Sequence, residues 1–392
     1  MKILMLHNRY LVPGGEDLST LAEASLLRES GCEVELLEED NRRVAELGNL
    51  KTAVRTIWST ESLHRVRAAL RAGSFDILHV QNFFPLWSPS VYYAAAQCGV
   101  PVVQTLRNYR LMCVNSTFFR DDRACEDCLG KFAPWAGIRH ACYRNNRAGS
   151  AVVAAMIGLH KLKGTWRNSV NTYIALTEFA RQKYIAGGLP AESIVVKPNF
   201  LHPAPAVGSG GGGYALFVGR MSAEKGIMTM LAAWKAAHHP LPLKIVGDGP
   251  LSEAVAAEAT SLPAVQYVGR RSPEETLELM RHADLLVFPS QCYEGMPRTI
   301  IESFAVGTPV VASNIGAMAS MVVPGETGFH FSPGNVAELR ATMEWCSANL
   351  AGLRAMRAKA RAAFEAHYSG QANVEMLKEI YRKAQTAGHL PH

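Results

Sequence analysis

The chain has 392 residues, of which 48% are apolar and 19% are charged, and its formal net charge is +6. Because a single hydrophobic core stops growing at about 250–300 residues, this length predicts two domains of about 200 residues each. The composition is globular, which excludes a disordered, collagenous or disulfide-scaffold protein.

Predicted strands alternate with helical stretches along the chain. The strands are short, continuous apolar runs, a pattern typical of parallel strands buried on both faces. One helix start is marked by Ser272, Pro273 and Glu275, which form a capping box with proline at the first helical position. Repeated β-α units predict an α/β fold with two Rossmann-like, doubly wound parallel sheets. The strands are predicted at residues 2–6, 34–37, 75–80, 102–106, 173–176, 194–196, 214–218, 243–246, 265–268, 285–289 and 309–312.

A segment with two prolines and a glycine run, residues 203–213, divides the chain near its middle. Such a composition predicts a flexible linker. The expected domains are an N-terminal domain at 1–202 and a C-terminal domain at 214–370. Residues 371–392 are expected to form a helix and tail, a candidate for packing back on the first domain. Two such lobes predict a ligand in the cleft between them.

The sequence shows no membrane span or secretory signal. Its longest clean apolar run, residues 151–159, is too short to cross a bilayer. His7, Asn8 and Arg9 interrupt the apolar stretch at the start before a secretory core could form. We therefore expect a cytoplasmic protein, with the inner face of the membrane as a candidate location.

Basic residues concentrate in residues 131–170, which contain seven Lys or Arg and no Asp or Glu. Such a block attracts phosphates on a nucleotide, a nucleic acid or an anionic membrane surface, or is simply solvated. The chain has no recognisable nucleic-acid reader module, so nucleic acid is not an expected partner. A helix predicted at 148–162 has an apolar body and cationic ends. It is either a core helix or an interfacial element that docks on anionic lipid.

The strongest chemical signal follows the first strand of the second half. The strand is expected to end at Gly219, present Arg220 and turn into a helix beginning near Glu224, with Lys225 beside it. Two cations and a helix N-terminus at one place suit a diphosphate. The alternative is a solvent-exposed pair of cations.

A second signal comes from two carboxylates, Glu294 and Glu302, after the strand at 285–289. Carboxylates accept hydrogen bonds from paired hydroxyl groups, as on a sugar or a ribose. One is predicted in a loop and the other in a helix, so both could line one wall of the cleft. The alternative is that neither meets a ligand.

Together these segments resemble the retaining GT-B glycosyltransferases of glycosyltransferase family 4. The resemblance covers nearly the full chain, and its combined motifs are highly specific. It implies a GT-B fold and sugar transfer from a nucleoside-diphosphate sugar to a glycan or lipid-linked acceptor, in cell-surface polysaccharide or glycoconjugate synthesis. The motifs are Gly-Arg-Met-Ser-Ala-Glu-Lys-Gly at 219–226, Val-Gly-Asp-Gly-Pro at 246–250, Glu-x7-Glu at 294–302, Gly-Thr-Pro-Val-Val-Ala-Ser at 307–313, Gly-Gly-Glu at 14–16, Asp-Ile-Leu-His at 76–79 and Lys-Pro-Asn at 197–199.

The resemblance implies that the N-terminal domain is the acceptor side and that the C-terminal domain binds the nucleotide sugar. It also assigns roles to individual side chains. Arg220 and Lys225, after Gly219, match the pair that holds the donor diphosphate. Glu302 matches the carboxylate that binds the nucleotide ribose, and Glu294 the one that meets the hydroxyls of the donor sugar. Preorganised cations at the leaving diphosphate lower the barrier to its departure.

Backbone contacts are implied as well. The amides of Gly295 and Met296 match those that touch the donor sugar, and the turn at Gly14 and Gly15 would close over the phosphates. Retention in this fold is usually drawn as front-face attack, in which the leaving phosphate takes the acceptor's proton. The chain has no Asp-x-Asp triplet, so no cofactor is expected for catalysis.

Arg107 departs from the family pattern, which often has a histidine facing the donor sugar at this position. An arginine cannot act as a neutral acceptor or shuttle a proton at neutral pH. Arg107 either binds an anionic donor sugar or phosphate, or has a structural or acceptor-side role. Arg107 therefore leaves a catalytically silent nucleotide-sugar-binding protein as an alternative. A GT-B nucleotide-sugar epimerase is a second alternative, which would need acid–base residues in the cleft in place of acceptor space.

Four of the eight cysteines cluster in a polar insertion at 107–147, as Cys113, Cys125, Cys128 and Cys142. Disulfides are not expected in the cytosol, and the Cys125–Cys128 spacing is typical of zinc ligands. The sequence therefore suggests a structural zinc site, with reduced thiols or two chance disulfides as the alternatives.

Overall fold

The structure, a computed structural model, describes residues 1–11 and 14–386, and the chain divides into two compact units. The first unit contains Met1–Phe118, Glu126–Asn199 and the chain from Gln371 onward. The second contains Phe119–Cys125 and Phe200–Gly370. The C-terminal helix thus groups with the first unit, although it follows the second in sequence.

The elements alternate as β-α units in both halves of the chain. The strands are β1 (Lys2–Arg9), β2 (Glu33–Asp40), β3 (Ile77–Val80), β4 (Val102–Leu106), β5 (Phe119–Arg120), β6 (Arg123–Ala124), β7 (Thr172–Ala175), β8 (Ile194–Val196), β9 (Ala215–Val218), β10 (Leu243–Val246), β11 (Val265–Gly269), β12 (Leu285–Phe288), β13 (Val310–Ser313) and β14 (Gly328–Phe331). The helices are α1 (Gly15–Glu29), α2 (Arg43–Ile57), α3 (Thr60–Gly73), α4 (Ser90–Cys98), α5 (Trp135–Arg139), α6 (Arg147–Leu162), α7 (Thr165–Asn168), α8 (Glu178–Ala186), α9 (Ile227–Ala236), α10 (Ser252–Thr260), α11 (Pro273–His282), α12 (Arg298–Ala305), α13 (Gly316–Met321), α14 (Val336–Ala348), α15 (Leu350–His367) and α16 (Gly370–Thr386).

Each unit is built on one six-stranded sheet. The first sheet has the strand order β2-β1-β3-β4-β7-β8, and the second has the order β11-β10-β9-β12-β13-β14. The paired strands of both sheets run parallel, as in Ile3 opposite Val34 and Ala215 opposite Leu285. The predicted α/β fold with two Rossmann-like parallel sheets is therefore confirmed.

The central strands are buried on both faces, which explains their continuous apolar sequence. Ile3, Leu4, Leu285 and Leu286 are wholly buried. The capping box predicted at α11 is also confirmed, because the Ser272 hydroxyl accepts a hydrogen bond from the Glu275 amide. The edge strand β14 was not predicted from the sequence, since its two phenylalanines alternate with a glycine and a histidine and form no apolar run.

The segment predicted as a flexible linker, residues 203–213, is neither helix nor strand. Its glycine-rich half is nonetheless held in place. The carboxylate of Asp284 accepts hydrogen bonds from the amides of Gly211 at 3.1 Å and Gly213 at 2.8 Å. This half of the segment therefore follows the surface of the second unit.

The helix predicted at 148–162 corresponds to α6. Its apolar body is core, because Val153, Met156 and Ile157 are buried. Its C-terminal end is exposed at Leu159 and Leu162. Among the described residues, no helix combines the length and the apolar character needed to cross a membrane.

Candidate functional site

The order in which successive strands are added to the second sheet reverses at β9. The strand that follows β9 in sequence, β10, lies on one side of it, and β12 lies on the other. In parallel α/β sheets, ligands bind at such a switch point, beyond the carboxyl ends of the strands. The loops that follow β9 and β12 carry Arg220, Lys225 and Glu294, so the topology places these predicted residues at this edge of the sheet.

The loop after β9 does not lead directly into a helix. A short 3-10 turn covers Ala223–Lys225, and α9 begins only at Ile227, so the prediction of a helix beginning near Glu224 was wrong. The reason is Gly226, which has a φ of 67° and separates the two elements. A Cβ atom at Gly226 would lie 2.0 Å from the carbonyl oxygen of Pro289, so this close approach between the two loops requires glycine.

The two loops are fastened by hydrogen bonds to one carbonyl group. The oxygen of Glu224 accepts from the amide of Gln291 at 2.8 Å and lies 3.1 Å from the hydroxyl oxygen of Ser290, whose single hydrogen it shares with the nearer Glu294 carboxylate. The loop after β12 is therefore held against the turn that carries Lys225.

Lys225 and Glu294 form an ion pair across these loops. The ammonium Nζ of Lys225 lies 2.6 Å from Oε1 of Glu294, which also accepts a hydrogen bond from the Ser290 hydroxyl at 2.7 Å. Burial opposes both charges, but the pairing outweighs it: the pKa of Lys225 is raised and the pKa of Glu294 is lowered. Both side chains therefore stay charged at neutral pH.

Arg220 lies at the start of the same loop and is exposed. The neighbouring backbone packs closely on the Gly247–Gly249 turn after β10, where the amide of Met221 donates to the carbonyl of Asp248 at 2.9 Å. A Cβ atom on Gly249, which has a φ of +156°, would lie 2.7 Å from the carbonyl oxygen of Met221. The glycine turn thus lets the two backbones approach and fixes the position from which Arg220 extends.

Glu302 lies in α12 and pairs with Arg298 rather than with Lys225. The Nε of Arg298 donates to Oε1 of Glu302 at 2.8 Å. Burial raises the pKa of Glu302, although Arg298 acts in the opposite direction. Gly295, half-buried, and Met296, buried, lie in the loop between Glu294 and this helix.

The remaining predicted donor residues lie in the first unit. Gly14 and Gly15 are exposed at the start of α1, where the Gly14 amide donates to Oδ2 of Asp17 at 2.9 Å. The two residues before Gly14 lie outside the described part of the chain.

Arg107 follows β4 and is held by neighbours in the first unit. Its Nη2 and Nε donate to Oε1 of Gln81 at 2.6 and 3.1 Å, and its Nη1 donates to Oδ1 of Asn199 at 2.6 Å. The guanidinium thereby joins the ends of three strands, β3, β4 and β8. This arrangement supports the structural alternative for Arg107.

A buried polar network lies next to Arg107. The ammonium of Lys197 donates to Glu23 at 3.0 Å and to Asn373 at 2.8 Å, while Nδ1 of His79 lies 2.7 Å from the Tyr381 hydroxyl. Burial opposes the Glu23 carboxylate, but the charge of Lys197 lowers its pKa to about 2. Burial lowers the pKa of His79 to about 4. The C-terminal helix α16 supplies Asn373 and Tyr381, and sequence reasoning gave these two residues no part in the network.

The four clustered cysteines were predicted to hold zinc. Over residues 1–11 and 14–386, no group of three or more His, Cys, Asp or Glu side chains is arranged to hold a metal ion. Burial raises the pKa of the Cys113 thiol. Zinc binding by Cys113, Cys125, Cys128 and Cys142 stays a prediction.

Two further groups were not singled out from the sequence. One is Arg298, whose only signal was its position four residues before Glu302 on a helix. The other is Glu16, whose Oε2 accepts from the hydroxyl of Tyr10 at 3.1 Å and from Asn108 at 3.3 Å. The other oxygen of Glu16 is buried and has no hydrogen-bond partner among the described residues. In the sequence, the feature that could have pointed to Glu16 was its place in the Gly-Gly-Glu motif at 14–16.

Comparison with known proteins bears on both units. Residues 207–363 match the family model for glycosyl transferases group 1, and residues 14–199 match the glycosyl transferase 4-like domain. The chain is 30% identical to 2-deoxystreptamine glucosyltransferase of Streptomyces kanamyceticus over 295 residues, which is 73% of this chain and 72% of that protein. It is also 30% identical to glycogen synthase of Mycobacterium tuberculosis over 182 residues, 45% of this chain. That match spans 44% of the glycogen synthase, less than half of its length.

Solved structures agree in fold. Sucrose-phosphate synthase from Thermosynechococcus elongatus has a TM-score of 0.73 at 16% identity, with 99% of this chain and 100% of that chain covered. HepE of Anabaena in complex with UDP has a TM-score of 0.68 at 17% identity, with 97% and 99% covered. With the family matches in both units and the glucosyltransferase relative, these findings show that the chain belongs to the GT-B glycosyltransferases of family 4.

Proposed function

We propose that the chain is a retaining glycosyltransferase that moves a sugar from a nucleoside-diphosphate sugar to a glycan or lipid-linked acceptor. The observation that carries the proposal is the preformed Lys225–Glu294 pair at the switch point of the second sheet. A cation already fixed at this place suits the diphosphate, and a carboxylate beside it suits the sugar hydroxyls. Structures of the similar protein HepE were solved with UDP and with UDP-glucose, which supports a donor of this class.

The chemistry follows from where charge develops. When the bond between the anomeric carbon and the diphosphate oxygen breaks, negative charge gathers on the leaving diphosphate. Lys225 and Arg220 would stabilise that charge, while Glu294 would hold the sugar and Glu302 the ribose. In the proposed front-face reaction, the acceptor oxygen bonds to the anomeric carbon on the face that the diphosphate leaves. The acceptor's proton passes to a diphosphate oxygen.

Catalysis is proposed to be independent of a metal ion, since the sequence has no Asp-x-Asp triplet. The test is a panel of nucleotide sugars in which release of the nucleoside diphosphate is followed with and without acceptor and with and without a chelator. We expect one donor to be consumed, dependence on acceptor and no effect of the chelator. The anomeric configuration of the product, read by NMR, is expected to match that of the donor.

Other results would favour the alternatives. Conversion of the donor sugar without any acceptor favours the epimerase, and binding without turnover favours the silent binding protein. Arg220→Ala is expected to lower kcat by about 10²–10³-fold, the usual loss for one group that stabilises a transition-state charge. Arg354→Ala is the matched control, because Arg354 is an exposed arginine of the second unit that lies on α15, outside the loops after β9, β10 and β12. Equal loss in both variants would contradict the role of Arg220.

A further inference from the structure

A cavity of about 540 Å³ lies in the second unit, between α11 and the strands β10 and β11. Pockets that bind small molecules usually have volumes of about 300–1,000 Å³. Tyr214 directly precedes β9 and Lys244 is the second residue of β10, so both lie near the beginnings of their strands. Arg220 and Lys225 instead follow the end of β9. The cavity is therefore separate from the edge of the sheet that carries the proposed donor residues.

The floor of the cavity is apolar and already in place. The ring of Tyr214 is buried, and its hydroxyl donates to the carbonyl oxygen of Leu279 at 2.7 Å. Burial raises the pKa of Tyr214 to about 12, so this hydroxyl keeps its proton at neutral pH. The half-buried side chains of Val268 and Leu279 line the cavity beside the ring. A mainly apolar lining with few polar groups is typical of a small-molecule site.

Two cations of the cavity lack acidic partners. The Nζ of Lys244 lies 3.9 Å from the centroid of the Tyr214 ring, within the range of a cation–π interaction. An ammonium has three N–H donors, and within residues 1–11 and 14–386 those of Lys244 meet no hydrogen-bond acceptor. Arg271 is exposed at the rim, and its Nη1 donates to the carbonyl oxygen of Arg270 at 3.0 Å. In the same part of the chain, Arg271 pairs with no carboxylate.

The two carboxylates that line the cavity are occupied by neighbours on their own helix. Oε2 of Glu278 accepts from Arg281 at 2.8 Å, and its Oε1 lies 2.8 Å from Nε2 of His282. Glu275 accepts from the amide of Ser272 at 2.9 Å, in the capping box of α11. The charge that the cavity still offers to a ligand is therefore positive.

We propose that this cavity binds a small organic anion. Its carboxylate or phosphate group would pair with Lys244, assisted by Arg271 at the rim, and its apolar body would lie on the floor formed around Tyr214. A free inorganic anion would leave that floor uncovered, and a neutral apolar molecule would leave the ammonium without an acceptor. None of the residues assigned to the donor lines the cavity, so the site stands independently of the proposed reaction.

The test is titration calorimetry of the full chain with phenyl phosphate and with benzoate. Benzyl alcohol, which lacks the charge, and inorganic phosphate, which lacks the apolar body, are the references. We expect at least one of the two aromatic anions to bind at least about tenfold more tightly than either reference, because only the anions satisfy both the ammonium and the floor. The tighter of the two identifies the anionic group that the cavity prefers.

Variants locate the bound anion. Lys244→Met is expected to weaken binding of the tighter anion about 10–100-fold, since a hydrogen bond to a charged group is lost. Arg271→Ala should weaken it less, because this side chain is exposed to solvent. Lys359→Met is the matched control, since Lys359 is an exposed lysine of the same unit on α15. Arg220→Ala is the control for the donor edge. Neither control should change the affinity.

Four results would overturn the proposal. They are absence of binding to the unaltered chain, equal affinity for either reference, unchanged affinity in both Lys244→Met and Arg271→Ala, and loss of binding in Arg220→Ala alone. The last result would place the anion at the donor edge instead. Circular dichroism shows whether the variants fold; if Lys244→Met does not, the exposed Arg271→Ala variant still decides the matter.

Discussion

The Lys225–Glu294 pair allows its structural role to be separated from a role in donor binding. Lys225→Met removes the ammonium and keeps much of the side-chain volume, which leaves the Glu294 carboxylate with the Ser290 hydroxyl. Removing one partner of a fully buried pair costs about 3–5 kcal/mol of unfolding free energy. Here the side chains are 24% and 15% exposed. We therefore expect a smaller loss, about 1–3 kcal/mol, measured by urea unfolding.

The double variant Lys225→Met/Glu294→Gln carries no charge at either position. Its stability should recover most of the loss, since no unpaired carboxylate stays behind. Its affinity for the nucleoside diphosphate chosen by the donor screen should not recover. A hydrogen bond to a charged group contributes about 1.5–3 kcal/mol, so calorimetry should show affinity about 10–100-fold below that of the unaltered chain.

Lys235 and Glu258 provide a matched control in the same unit. They form an exposed pair at 2.9 Å that begins on α9, the helix following Lys225. Lys235→Met/Glu258→Gln should change stability by less than about 1 kcal/mol and leave nucleotide affinity unchanged. If the Lys225 double variant regains both stability and affinity, the pair only joins two loops and the reasoning is refuted.

Three further predictions concern other residues. Arg298→Ala should weaken donor binding about tenfold, because Glu302 loses the partner that orients it, whereas Arg298→Lys should weaken it less; equal calorimetric affinities would contradict this. Since the folded chain holds the pKa of Glu23 at about 2 and that of His79 at about 4, below their ordinary values of 4.5 and 6.5, it binds fewer protons than the unfolded chain in acid. Urea unfolding should therefore show full stability above pH 6.5 and a progressive loss as the pH falls through about 4 towards 2, and a flat profile from neutral pH to 4 would contradict it. If the clustered cysteines hold zinc, metal analysis should find about one equivalent per chain, lost in Cys125→Ser; far less in the unaltered chain would end that hypothesis.

The sequence predicted those parts of the fold whose signals are local. Strands β4 and β10 have the predicted bounds, 102–106 and 243–246, and most of their residues are apolar because both faces of a parallel sheet are covered. The start of α11 could be predicted in the same way, since Ser272 and Glu275 accept hydrogen bonds from each other's backbone amides within one turn.

What escaped prediction depends on contacts between distant segments. The start of α9 is set by the close approach of Gly226 to Pro289. Helix propensities, which depend on local sequence, cannot predict a contact between these two distant loops. Arg107 is held by residues 26 and 92 positions away, so its departure from the family pattern could not be interpreted from the sequence alone. The family resemblance assigned Lys225 and Glu294 separately to a donor site, and their contact with each other is seen only in the structure.

The two side chains that α16 contributes to the buried network of the first unit have a consequence for the order in which the protein matures. Until Asn373 and Tyr381 have left the ribosome, Lys197 lacks its hydrogen bond to Asn373 and His79 its contact with Tyr381, and the first unit stays incomplete. All residues of the second unit are synthesised before α16 is complete. The second unit can therefore reach its native state before the first unit does. A truncation that removes the last helix would therefore damage the part of the protein that is made earliest.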